Sequence, residues 1–150
     1  MLKNIPAILP PELLKIMSEM GHGDELVLAD ANFPAASHAK RLIRCDAVGA
    51  VQLLDAMLTL FPLDTYVEHP AAVMQVVQGD PVVPVIWEDF RKSIQRHEGV
   101  VNPLEEVERF AFYERASRSF AIIATGEGAQ YANLILRKGV IRSRVNNLFP

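Results

Sequence analysis

The sequence predicts an α/β fold: a single compact layered domain with a mainly parallel sheet flanked by helices. Its 150 residues are the length of one ordinary domain, and 50% of them are hydrophobic, as in proteins that bury a core. Apolar runs typical of buried strands alternate along the chain with longer segments in which apolar residues recur at helical spacing. We therefore treat residues 1–150 as one domain.

The first helix and the first strand are the most clearly marked elements. Pro11 suits the first position of a helix, Gly21 is a natural stop, and the apolar residues between them recur at helical spacing. An unbroken apolar run then predicts a strand over 25–29 that is covered on both faces, as in a parallel sheet. This strand ends at the turn-like segment 30–34.

The rest of the chain continues the alternation of helices and strands. Apolar spacing predicts helices over 48–60 and 85–96, with a buried strand over 72–77 between them. The last third is predicted to hold three strands and a short helical turn, over 108–112, 119–124 and 133–137 for the strands and 113–116 for the turn. This order of elements is typical of a layered domain.

Composition and charge exclude several classes of protein. A net charge of −3 does not indicate a nucleic-acid-binding protein. Cys45 is the only cysteine, so a secreted fold stabilised by internal disulfides is excluded. The N-terminus lacks the apolar core and cleavage site of a signal peptide, and no apolar run approaches the roughly 20 residues that span a bilayer. We expect a cytoplasmic protein that binds neither nucleic acid nor membrane.

His22 and Asp30 are the first residues whose surroundings indicate chemistry. His22 lies between two glycines, where an imidazole is accessible and can transfer protons at neutral pH. Asp30 directly follows the first predicted strand, and open α/β sheets bind ligands at the carboxyl ends of their strands. We expect the two residues to form an acid–base site at one end of that strand. Helix capping by His22 and turn capping by Asp30 are the structural alternatives.

Two later segments supply further polar groups. Strand alternation predicts Phe110 and Phe112 in the core and Arg109 facing away from them, where its guanidinium can reach hydroxyls or a developing oxyanion. Tyr131 and Asn133 begin the final strand on one side of it. A phenol and an amide can both donate and accept hydrogen bonds to a polyol. The ordinary beginning of a strand is the structural alternative for this pair.

Neither a nucleotide site nor a metal site is predicted. The loop Gly126–Gly128 lacks the full glycine fingerprint of a phosphate-binding loop, has an acidic residue at its centre and leaves no room for the long helix that should follow. The four histidines show no ligand spacing typical of a metal site. We therefore expect a site that works without a metal or an organic cofactor.

Eight segments in a fixed order form a more specific pattern. They are Glu12–Leu14, Met20–Glu25, Ala29–Pro34, Arg44–Asp46, Leu63–Tyr66, Arg109–Ala116, Thr125–Glu127 and Tyr131–Val140. Together they resemble the D-ribose pyranase / L-fucose mutarotase family over nearly the whole chain. The segments at 63–66 and 109–116 are similar to the fucose branch of that family.

The resemblance implies an isomerase that interconverts the α and β anomers of L-fucose, with no metal and no cofactor. Its functional residues fall on six positions of this sequence: His22, Asp30, Arg109, Tyr131, Ala132 and Asn133. The resemblance implies that His22 is the proton donor and that the other five residues bind the sugar. For the reaction itself we expect Tyr131 to act in addition as a second proton relay. The resemblance also implies a homo-oligomer, typically a decameric ring, with active sites at subunit contacts.

Ala132 departs from the family pattern, which has glycine at this position. If the backbone there needs a positive φ, alanine is strained and the geometry of the sugar site changes. This departure is the feature that favours one alternative function, a sugar-binding module without turnover. The other alternative is D-ribose pyranase activity.

Overall fold

The computed structural model of the chain describes residues 1–142, in which five helices alternate with six strands. In chain order the elements are α1 (Pro11–Glu19), β1 (Glu25–Ala29), α2 (Ala35–His38), β2 (Leu42–Cys45), α3 (Ala50–Leu58), β3 (Ala71–Met74), α4 (Ile86–Glu98), β4 (Leu104–Val107), α5 (Arg109–Arg118), β5 (Ala121–Thr125) and β6 (Leu134–Arg137). Within this part of the chain, no helix is both long and apolar enough to cross a membrane.

The six strands form one sheet in the order β2-β5-β1-β6-β3-β4. The pairs β2–β5, β5–β1 and β3–β4 are parallel, and β6 runs antiparallel to both of its neighbours. The predicted mainly parallel sheet is therefore confirmed, with β6 as the exception. Strands β1 to β5 all end at the same edge of the sheet, which we call the carboxyl edge, and β6 begins there. The opposite edge is called the amino edge.

The core has two layers, one on each face of the sheet. Leu26 and Leu28 of β1 pack in a cluster with side chains from α1, α3 and α4. Val27 and Ala29 point to the other face and pack with side chains from α2 and α5. All four are fully buried, and a fully buried Leu or Val side chain stabilises the fold by about 1.5–3 kcal/mol. Cover on both faces is the reason that this strand is apolar without a break.

The strand predicted over 108–112 is wrong, because this segment begins a helix. The Glu108 side chain accepts hydrogen bonds from the backbone N–H groups of Phe110 (2.9 Å) and Ala111 (3.0 Å), which makes it the N-cap of α5. Positions two apart on a helix face different sides. Phe112 is accordingly buried, as predicted, whereas Phe110 is 70% exposed and lies outside the core.

The remaining predicted elements are confirmed, with bounds shifted by a few residues. The first helix is α1, and the strand over 25–29 is β1. The other confirmed predictions are the helices over 48–60 and 85–96, now α3 and α4, and the strands over 72–77, 119–124 and 133–137, now β3, β5 and β6. The helical turn over 113–116 belongs to α5. The four-residue elements α2, β2 and β4 are too short to show a period and were not predicted.

Candidate active site

A cavity of about 390 Å³ opens at the carboxyl edge of the sheet, within the size range of small-molecule sites. Four of the predicted site residues line it, from three parts of the carboxyl edge: Asp30 after β1, Arg109 after β4, and Tyr131 and Asn133 before β6. The other lining residues are Asn32, Phe33, Met74, Val77, Asp80, Tyr113 and Gln130. The cavity therefore combines polar side chains with a substantial apolar surface.

Asp30 and Asn133 are tied together at the cavity. The Asp30 backbone N–H donates to Asn133 Oδ1 (2.8 Å), and Asn133 Nδ2 donates to Asp30 Oδ2 (2.9 Å). The other carboxylate oxygen, Oδ1, accepts a hydrogen bond from the backbone N–H of Asn32 (2.9 Å). Burial raises the pKa of Asp30, and these hydrogen bonds offset only part of that effect. The pair presents fixed oxygen acceptors to a ligand.

Hydrogen bonds hold both the side chain and the backbone of Tyr131. Its hydroxyl donates to Asp80 Oδ2 (2.6 Å) and accepts a hydrogen bond from the backbone N–H of Val77 (3.3 Å). Its carbonyl oxygen accepts a hydrogen bond from the Trp87 indole (2.9 Å). Its φ of 58° lies in the left-handed region, which is uncommon for a residue with a Cβ. A conformation of this kind persists only where the surrounding contacts enforce it.

Ala132 does not carry the strain that its departure from glycine suggested. Among residues 1–142, the non-glycine residues with positive φ are Asn4 and Tyr131. Ala132 is fully buried and packs in the core, on the same face of the sheet as Leu134. The condition for strain at Ala132 is therefore not met, because the left-handed position of this turn is one residue earlier, at Tyr131.

Arg109 reaches the cavity as the first residue of α5. Its guanidinium carbon lies 5.7 Å from the centre of the Tyr113 ring and 5.5 Å from that of Phe110. Interaction with Tyr113 raises the pKa of Arg109 above its ordinary value, so the side chain stays cationic. The expectation that Arg109 faces away from Phe110 is wrong, because it assumed a strand. Its place at the cavity follows from the start of α5 at the carboxyl end of β4.

His22 is the predicted site residue that the structure places elsewhere. It precedes β1, whereas Asp30 follows β1, and five residues of strand span roughly 16 Å. His22 lies at the amino edge and does not line the cavity. The expectation that His22 and Asp30 share one end of a strand is therefore wrong within a single chain.

At the amino edge His22 forms a pair with a buried carboxylate. His22 Nε2 lies 3.1 Å from Asp64 Oδ1, and the Asp64 side chain is 1% exposed against 44% for His22. Asp64 also accepts hydrogen bonds from the Tyr66 backbone N–H (3.0 Å) and from Arg137 Nε (2.9 Å). Burial acts to raise the pKa of Asp64, but these hydrogen bonds outweigh it, and the net pKa is lowered. An ionised carboxylate therefore orients an accessible imidazole.

Asp64 and Asp80 are candidate functional residues that the sequence did not predict. Asp64 meets a histidine 42 positions away, and Asp80 meets a tyrosine 51 positions away. Nothing in the local sequence of either aspartate marks its partner. The only signals were the similarity of segment 63–66 to the family and the Gly79–Pro81 turn after β3.

Within residues 1–142, no group of three or more His, Cys, Asp or Glu side chains is arranged to hold a metal ion.

The family model and the relatives that match this sequence point to the same family. The chain matches the model of the RbsD / FucU transport protein family over residues 3–141. It is 54% identical to the fucose mutarotase of Homo sapiens in an alignment of 146 positions that covers 93% of this chain and 94% of that protein. It is 49% identical to the L-fucose mutarotase of Actinobacillus pleuropneumoniae serotype 5b, over 93% of this chain and 97% of that protein.

Solved structures give the same result for the fold. The crystal structure of the fucose mutarotase from Streptococcus pneumoniae in complex with L-fucose superposes with a TM-score of 0.90, at 50% identity, and covers 94% of this chain and 100% of that chain. Bacillus subtilis RbsD complexed with D-ribose superposes with a TM-score of 0.70 over 95% of this chain and 100% of that chain. Its 20% identity shows a shared fold alone. The predicted α/β fold class is confirmed.

Proposed function

This chain belongs to the RbsD / FucU transport protein family, and on that basis we propose that it is an L-fucose mutarotase. It interconverts the α and β anomers of L-fucose, with residues 1–150 acting as one sugar mutarotase domain. One structural observation carries the proposal. Polar side chains from three separate parts of the chain converge on one cavity at the carboxyl edge, and they are the residues at which a polyol would be bound.

The cavity offers a monosaccharide donors and acceptors on several sides. Asp30 accepts hydrogen bonds from sugar hydroxyls, and Asn133, fixed against it, both accepts and donates. The Arg109 guanidinium donates to hydroxyl oxygens from the direction of α5. Phe33 and Met74 supply the apolar part of the lining. A neutral sugar with several hydroxyls and a small apolar face fits this combination.

Exchange of anomers needs two proton transfers. The ring oxygen gains a proton while the anomeric hydroxyl loses one, so the bond between the anomeric carbon and the ring oxygen breaks and an open aldehyde forms. Rotation about one bond and closure on the other face give the other anomer. We assign His22 as the proton donor and Tyr131 as the second proton relay, each step contributing roughly 10²–10⁴-fold. The assignment involves no metal, no organic cofactor and no covalent intermediate.

His22 reaches the cavity from a second copy of the chain in this proposal. The imidazole and Asp64 lie at the amino edge, so a head-to-tail contact that sets the amino edge of one copy against the carboxyl edge of the next completes the site. Exposed aromatic residues support such a contact at both edges: Tyr66, 67% exposed, lies beside His22, and Phe110 lies beside Arg109. Repeated head-to-tail contacts form a ring when the rotation between successive copies closes, and a decamer is the ring we propose.

The cytoplasm is the location we propose. Cys45 is the only cysteine in the sequence, and its side chain is buried. A fold that uses no internal disulfide suits a reducing compartment. Fractionation of cells that express the full chain checks this proposal, and recovery in the secreted fraction contradicts it.

Proton NMR saturation transfer between the two anomers of L-fucose tests the activity directly. Added protein is expected to raise the exchange rate well above the spontaneous rate, and a folded His22→Ala protein is expected to lose the effect. Exchange at the spontaneous rate with the wild-type chain overturns the enzyme assignment. In that case, sugar binding detected by calorimetry would indicate the sugar-binding module. Exchange with D-ribose and not with L-fucose would indicate the pyranase.

A further inference from the structure

We propose that Asp80 is a positioning residue that sets the direction of proton transfer at Tyr131. It holds the phenolic proton away from the substrate, so Tyr131 accepts the proton of the anomeric hydroxyl when the sugar ring opens. His22 is then the donor to the ring oxygen in the same step. This inference rests on the proposed mutarotase function and deepens it, because it assigns opposite roles to two groups that the reaction requires.

The hydrogen bonds of the Tyr131 hydroxyl carry the inference. A phenolic oxygen has one proton to donate and can accept two hydrogen bonds. The proton is directed to Asp80 Oδ2 (2.6 Å), and one acceptor position is used by the Val77 backbone N–H (3.3 Å). A ligand in the cavity that Tyr131 lines can therefore hydrogen-bond to the hydroxyl only at its remaining acceptor position. In this arrangement Tyr131 can receive a proton from the sugar but cannot give its own to the sugar.

Asp80 is fixed well enough to hold this arrangement. Its second oxygen, Oδ1, accepts a hydrogen bond from the Val82 backbone N–H (3.1 Å), and its own backbone N–H donates to the carbonyl oxygen of Val77 (3.0 Å). The turn that carries it has Gly79 at a φ of 89°, which favours glycine over other residues. Both partners of the Tyr131–Asp80 hydrogen bond are therefore held by their own backbone contacts.

The charges around Tyr131 agree with this geometry. The charged and titratable groups that face or share its cavity are Asp80, Arg109, Asp30 and Tyr113. The hydrogen bond to Asp80 raises the pKa of Tyr131 above its usual value, and the Val77 N–H together with the positive charge of Arg109 offsets only part of that effect. The same hydrogen bond holds the pKa of Asp80 below its usual value. At neutral pH the pair is therefore a neutral phenol that donates to an ionised carboxylate.

The resulting step balances in protons and electrons. The proton of the anomeric hydroxyl passes to the Tyr131 oxygen as the phenolic proton passes to Asp80. The electron pair released at the anomeric oxygen forms the carbonyl double bond. The electron pair of the bond between the anomeric carbon and the ring oxygen stays on the ring oxygen, which takes a proton from His22 of a second copy. Ring closure on the other face runs the same transfers backwards and restores all three side chains.

Asp80→Asn tests the inference because it changes the direction of one hydrogen bond. The amide oxygen can still accept from the Val82 N–H, but the amide nitrogen donates to the Tyr131 oxygen and turns the phenolic proton toward the cavity. We expect kcat for L-fucose exchange to fall about 10²-fold, the effect of losing one general base, with little change in KM. Asp80→Glu, which keeps a carboxylate acceptor, should recover part of the rate. Asp89→Asn is the matched control, since Asp89 is exposed in the first turn of α4.

A second measurement does not depend on activity. The sequence has three tyrosines, and the difference in tyrosinate absorbance between each protein and its Tyr131→Phe counterpart isolates Tyr131. We expect the pKa of Tyr131 to be lower in Asp80→Asn than in the wild type, because the acceptor is lost and Arg109 remains. An Asp80→Asn protein with wild-type kcat, or with an unchanged Tyr131 titration, overturns the inference. Wild-type protein without any anomer exchange instead overturns the proposed function, and the titration still tests the Tyr131–Asp80 pair.

Discussion

His22 and Asp30 flank the same five-residue strand, β1, and lie at its opposite ends. Asp30 follows the strand and lines the cavity at the carboxyl edge, whereas His22 precedes it and pairs with Asp64 at the amino edge. The sheet between them is packed on both faces and leaves no path for either side chain to reach the other. A reaction that uses both residues therefore needs two copies of the chain.

A shared site predicts that two inactive variants restore each other. His22→Ala and Tyr131→Phe each remove one proton-transfer group from every site in a homo-oligomer. In a co-expressed mixture, about a quarter of the contacts should join an intact His22 to an intact Tyr131, because each chain of a head-to-tail ring is drawn at random from the two variants. Exchange of L-fucose anomers, measured by NMR, should reappear at about that fraction of the wild-type rate. A mixture as inactive as its two parents would contradict the shared site.

Asp64→Ala should reduce both stability and turnover. The change leaves Arg137 Nε, His22 and the Tyr66 N–H without their common acceptor. Loss of a buried, hydrogen-bonded carboxylate of this kind costs about 2–3 kcal/mol in the free energy of unfolding. Urea denaturation measures the loss, and kcat should fall because the imidazole is no longer oriented. Asp46→Ala, which removes an exposed carboxylate paired with Arg44, is the control and should change both quantities little.

Asp64 should also contribute to the pH dependence of the free energy of unfolding. The pKa of Asp64 in the folded protein lies below its ordinary value of 3.8. Its contribution is therefore fully present above that ordinary value and is lost as pH falls through the lower folded pKa. Wild-type protein should lose more unfolding free energy than Asp64→Asn below about pH 4. Equal slopes for the two proteins in denaturation at several pH values would contradict this prediction.

Asp30→Asn should weaken sugar binding more than it slows chemistry. The Asn side chain keeps the shape of Asp30 but loses a charged acceptor, and a hydrogen bond to a charged group is worth about 1.5–3 kcal/mol, or roughly 10–100-fold in affinity. Calorimetry with L-fucose measures the effect. Because burial raises the pKa of Asp30, wild-type affinity should also fall on acidification at a pH above 3.8, the ordinary value for an aspartate. In Asp30→Asn this fall in affinity on acidification should disappear. If the variant still loses affinity, a group other than Asp30 is responsible for the pH dependence.

Ala132→Gly restores the family residue and should bring no gain. Ala132 is fully buried and its φ is not positive. Removing its methyl group takes away core contacts and adds backbone freedom to the unfolded chain, which together cost about 1 kcal/mol. Thermal denaturation should show a lower Tm, with kcat for anomer exchange unchanged. A glycine variant that is both more stable and faster would show that alanine does strain the sugar site.

The local sequence pattern was sufficient to predict a helix where helical spacing of apolar residues extends over several turns, and a strand where the apolar run is unbroken. The helix from Pro11 and the strand over 25–29 match α1 and β1 for this reason. It failed at Phe110 and Phe112, because two aromatic residues in alternate positions fit a strand as well as the start of a helix. The Glu108 cap decides between the two, and its hydrogen bonds become evident only in three dimensions.

The candidate site was likewise predictable from the sequence only in part. Residue type alone identifies the side chains that can bind a polyol or move a proton, since those properties belong to Asp30, Arg109, Tyr131 and Asn133 individually. Which of them meet depends on the fold, because the order of strands in the sheet is set by packing between segments far apart in the chain. The same packing brought Asp80 to Tyr131 and Asp64 to His22. It also placed the imidazole at the amino edge, where β1 begins, at the opposite end of that strand from Asp30.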